Sequence, residues 1–147
     1  MLHALVFAFN LNASTQLTEP PPYDQVAQAQ ADLAAYVKAH PEDSKALQTW
    51  HWVLTAEVAT WSFQSIEVLS YAGLTEACTN KSHDHIREIV IGELQHLTEW
   101  FKLLDDDLTS SLSSLESPVA QEATVRARAG LRSAMSLAKT LEQASPR

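Results

Sequence analysis

The sequence predicts an all-α protein: an antiparallel four-helix bundle with a short N-terminal extended arm. Three observations lead to this prediction. The chain of 147 residues contains only three glycines and is rich in alanine, leucine, glutamine and glutamate, which favour helix. Apolar residues recur at helical spacing in four stretches, and helix-starting or helix-stopping residues bound these stretches. An irregular all-helical domain built from the same helices is the alternative. The length suits one domain, residues 1–147.

Residues 1–19 form the predicted arm. The first nine residues are almost all apolar and contain no lysine or arginine. This run is too short to span a membrane, and it lacks the basic start of a secretory signal. We therefore expect an extended segment that packs on the bundle or on a second copy of the chain.

Prolines, a glycine and a serine mark the expected ends of the helices. Pro22 suits a first helical turn, and Pro41 stops the first helix and opens the second. Gly73 is a natural terminator for the second helix, and Ser117 can cap the fourth. Residues 110–117 form a predicted serine-rich linker. The helices are predicted at about 22–40, 41–72, 82–108 and 118–144.

The second predicted helix carries apolar residues on two faces, whereas one layer of bundle neighbours covers only one face. We therefore expect its second face to contact another protein or a second copy in a homodimer. The arm could also cover this face, or the helix could be the central one of an irregular bundle. The first stripe contains Trp50, Leu54, Trp61 and Val68. The second stripe, which we predict to be the interface, contains Trp52, Ala56, Ala59, Phe63 and Ile66.

Four polar residues interrupt the predicted apolar stripes, and we expect them to be buried. Burying an unpaired carboxylate costs several kcal/mol, so inward glutamates need a proton, a cation or hydrogen-bond donors. The simplest outcome is that Arg126 or Gln30 satisfies the two glutamates. The predicted buried polar residues are Gln30, Glu57, Glu93 and Arg126.

A metal site is the alternative use of these glutamates. Glu93-Leu94-Gln95-His96 places a carboxylate and an imidazole three residues apart, on one side of a helix. With Glu57 on the preceding helix, this set suits iron, manganese or zinc. The arrangement resembles half of a ferritin-like di-iron site. The resemblance implies a second Glu-x-x-His, but the fourth helix has Glu122 and Glu142 without a histidine. A complete site would therefore need two copies, or the site would be mononuclear.

Charge and composition narrow the function classes. A net charge of −8 with ten lysines and arginines argues against nucleic-acid partners. The single cysteine, Cys78, excludes an internal disulfide and a multi-cysteine zinc site, and fits a cytoplasmic protein. No membrane association and no cofactor are expected unless the metal site forms.

The leading hypothesis is a non-enzymatic protein that acts through protein contacts, such as a regulator, adaptor, inhibitor or immunity-type binder. Its acidic surface favours basic partners. A metal-binding protein that uses Glu57, Glu93 and His96 is the rival hypothesis. A third possibility is a small-molecule pocket between the helices with tryptophan walls.

Overall fold

The computed structural model describes residues 20–76 and 83–144, with the side chains of residues 20–68 and 88–144. Four helices account for nearly all of these residues, which confirms the all-α prediction. The predicted arm lies outside the described residues. The helices are α1 (Pro22–Ala39), α2 (Ser44–Glu76), α3 (His83–Leu112) and α4 (Pro118–Ala144).

Side-chain caps fix the starts of two helices. The Asp43 carboxylate accepts a hydrogen bond from the Ala46 N–H at 2.9 Å, so α2 begins at Ser44, three residues after Pro41. The Ser117 hydroxyl accepts a hydrogen bond from the Ala120 N–H at 3.3 Å. The predicted cap and start of α4 are therefore confirmed.

Two helices run past their predicted ends. α2 continues through Gly73 to Glu76, because one glycine costs a helix only about 1 kcal/mol and does not stop it. α3 continues to Leu112, so the connection to α4 is residues 113–117 and not 110–117. In this extension Thr109 and Ser110 donate hydrogen bonds to carbonyls one turn earlier, and Leu108 is buried. The serines are therefore compatible with the helix.

The helices pack in a ring, α1–α2–α3–α4, and α2 also touches α4 across the centre. Within the described residues α1 and α3 do not meet, as expected of diagonal helices in a four-helix bundle. Side-chain contacts join three pairs of neighbouring segments, and the antiparallel direction of the helices stays a prediction. Phe63 contacts Phe101 and Lys45 pairs with Glu116, while Asp105 pairs with Arg128.

The large buried side chains come mainly from α3, whereas α4 contributes mainly small ones. The buried apolar residues of α4 are mainly alanines, and they allow α1 to approach closely. At Gly130 an added Cβ would lie 2.7 Å from Val26 Cγ2 and 2.8 Å from the Pro22 carbonyl oxygen. α4 therefore approaches α1 closely at Gly130. In the described part of the chain, no helix is long and apolar enough to cross a membrane.

Candidate interaction surface on α2

The stripe that we predicted as an interface faces the bundle core. Ala56, Ala59 and Phe63 are buried, and Trp52 and Ile66 are partly buried against the core. The Phe63 ring meets the Phe101 ring of α3 edge to face, with centroids 6.0 Å apart. Within the chain this stripe is already covered, so the predicted interface residues are the wrong ones.

Three residues of the other predicted stripe are open to solvent together with Val58, whereas Trp50 of that stripe packs against the core. Leu54 is 37% exposed, Val58 54%, Trp61 58% and Val68 64%. At 100° per residue these positions fall within about 80° of one another, on the side of α2 opposite the buried Ala56 and Phe63. We call Leu54, Val58, Trp61 and Val68 the outer stripe. These four side chains are therefore exposed on one face of α2, and the prediction that a partner covers an apolar face of this helix stays a prediction.

Few charges surround the outer stripe. Between residues 46 and 68, α2 has His51, Glu57 and Glu67 as its ionisable side chains, and Glu67 lies towards the inner face. In the described ranges, no ion pair engages α2 beyond Lys45. Six of the eight large apolar side chains exposed in the described part lie on the adjacent helices α2 and α3. The exposed apolar surface is therefore concentrated on one side of the bundle.

The proposed metal ligands do not share a buried space. Glu93 and His96 are exposed, and Glu57 is partly buried. The expectation of an inward Glu93 is wrong, because α3 points Leu94, Leu97 and Phe101 into the core and leaves Glu93 at the margin, where its charge reaches water. Across the described side chains, no group of three or more histidine, cysteine or acidic residues is placed to hold a metal ion. The metal hypothesis gains no support from this geometry.

Arg126, predicted to be buried with the glutamates, pairs instead with acids close to it in the bundle. Its guanidinium contacts the Asp32 carboxylate of α1 at 2.5 Å and Glu122 of its own helix at 3.1 Å. Arg126 is partly exposed, and so is Gln30. The expectation that these two residues are buried therefore holds only in part, because both are partly exposed.

Two sets of polar residues were not anticipated. Asp105 of α3 accepts hydrogen bonds from Arg128 Nε at 2.8 Å and Arg132 Nε at 3.0 Å of α4, and it is mostly buried. The fully buried polar side chains are threonines, which donate to carbonyls of their own helices. These are Thr49, Thr60 and Thr124. The position of these threonines within apolar stripes could have indicated their burial from the sequence. The pairing of Asp105 could not be predicted in this way, because it depends on how α3 and α4 pack.

Two open grooves of about 510 and 310 Å³ lie between α1 and α4, on either side of Arg126. Neither groove is lined by a tryptophan, so the small-molecule hypothesis finds no tryptophan walls there. Trp50 has its indole Nε1 buried without a hydrogen-bond partner among the described residues. The indole lies against the core and does not line either groove.

Among the described side chains, Glu67 is the carboxyl group with a perturbed pKa. Burial raises the pKa of Glu67, which lies one helical turn after Phe63 on the inner face of α2. Burial also raises the pKa of Tyr23 on α1, and the charges of Asp24 and Glu67 add to that rise. Glu67 therefore lies near the start of α1, at the end of the inner face of α2.

The described side chains combine into a surface suited to binding. The outer stripe offers apolar area with little charge, which favours contact with another apolar surface. Comparisons of the chain with protein-family models, with curated proteins and with solved structures gave no significant match. The exposed apolar face of α2 is therefore the main indication of function.

Proposed function

We propose that this chain is a non-enzymatic protein that acts through protein contacts, as a regulator, adaptor or inhibitor, and that it self-associates through the outer stripe of α2. One observation carries the proposal: Leu54, Val58, Trp61 and Val68 are exposed along the helix face opposite the core. A half-exposed tryptophan among aliphatic side chains is typical of residues that dominate protein interfaces.

Charge supports the outer stripe as the place of contact. The chain carries a net charge of −8, so two copies repel each other at most orientations. The outer stripe is the part of the surface with few charges, and contact there brings the least like charge together. The single cysteine in 147 residues leads us to expect action in the cytoplasm.

Sedimentation equilibrium over a wide concentration range tests the proposal. We expect the unmodified chain to form dimers, and Trp61→Glu to weaken dimerisation at least tenfold, which corresponds to about 1.4 kcal/mol. The reason is that the variant places a charge in an apolar contact, where it would lose its water without gaining a partner.

Val125→Glu is the matched control. Val125 is 52% exposed, close to the 58% of Trp61, but it lies on α4. This variant adds the same charge to the chain and should leave dimerisation unchanged. A chain that stays monomeric at high concentration, or two variants that weaken dimerisation equally, would contradict self-association through α2.

A further inference from the structure

We draw no further inference here: the strongest candidate, the exposed apolar face of α2 that carries Trp61, belongs to the surface already described, and nothing in the structure shows what covers it.

Discussion

Helices α2 and α4 touch across the centre of the bundle but meet solvent in different ways. On α4, charged residues stand at the margins and pair with neighbouring helices, as Arg128 does with Asp105 and Arg126 does with Asp32. On α2, large apolar side chains occupy the outer face, and Trp61 is 58% exposed. The same bundle therefore has one side with paired charges and one side with bare apolar surface.

This difference shows that amphipathic pattern alone does not identify a functional face. α4 has one buried stripe of small residues and a mainly polar exterior in which Val119 and Val125 are exposed singly, a pattern that suits a helix of a bundle. The outer stripe of α2 adds apolar surface that the fold does not use, because the opposite face already fills the core. This exposed apolar surface is the basis of the proposal that α2 contacts a partner.

The largest expected effect is a difference in stability loss between a substitution on the inner face of α2 and one on its outer face. Phe63→Ala removes a buried ring and its edge contact with Phe101, and we expect the free energy of unfolding to fall by about 3–5 kcal/mol. Trp61→Ala, two residues away, should cost less than about 1 kcal/mol in the monomer, because its ring is mostly in water. Urea unfolding at low protein concentration measures both changes without a contribution from dimerisation.

Equal losses from the two variants would contradict this comparison, since they would show that Trp61 is needed for the fold of one chain. The comparison would be sharpened if Trp61→Ala lowered stability only at high protein concentration. In that case the stability gained by dimerisation would itself depend on the outer stripe.

A smaller effect tests the close packing of α4. Gly130→Ala places a Cβ against Val26 and the Pro22 carbonyl at distances below 3 Å, and this overpacking costs about 1–3 kcal/mol. The higher helix propensity of alanine offsets about 1 kcal/mol of that cost, so we expect a net loss of stability, and a larger loss for Gly130→Val. Gly92→Ala is the matched control, because nothing lies within 4 Å of its added Cβ.

In thermal unfolding, Gly130→Ala should lower the unfolding temperature and Gly92→Ala should raise it. Gly92→Ala gains helix propensity without a clash and should stabilise the chain by up to about 1 kcal/mol. If both alanine variants stabilised it to the same degree, α1 and α4 would not approach closely at Gly130.

Much of the fold could be predicted from the sequence, because helix ends and apolar spacing are local properties. Pro22 and Ser117 mark helix starts where the structure has them. The choice between the two apolar faces of α2 could not be predicted, because it depends on which face meets α3 and α4. Both stripes have helical spacing, and only the contact of Phe63 with Phe101 identifies the inner one. The predicted burial of Glu93 was wrong for the same reason, since a residue at the margin of a stripe can face solvent.

The smallest effect concerns the point where the inner face of α2 ends, at Glu67. Burial raises the folded-state pKa of this carboxyl above its ordinary value of 4.5, so the folded chain holds the proton more tightly than the unfolded chain does. The stability gained from that protonation is fully present below pH 4.5 and is lost as the pH rises through the raised pKa. Above the raised pKa the fold must hold a partly buried, charged carboxylate.

Glu67→Gln removes this charge and keeps the shape of the side chain. We expect the variant to be more stable than the parent at pH 7, by less than about 1 kcal/mol because Glu67 is only partly buried, and to lose that advantage at pH 4. Urea unfolding at both pH values measures the difference. Glu99→Gln, an exposed site on α3, is the control and should stabilise the chain less at pH 7. If Glu67→Gln raised the free energy of unfolding as much at pH 4 as at pH 7, the gain would not come from removing a buried charge.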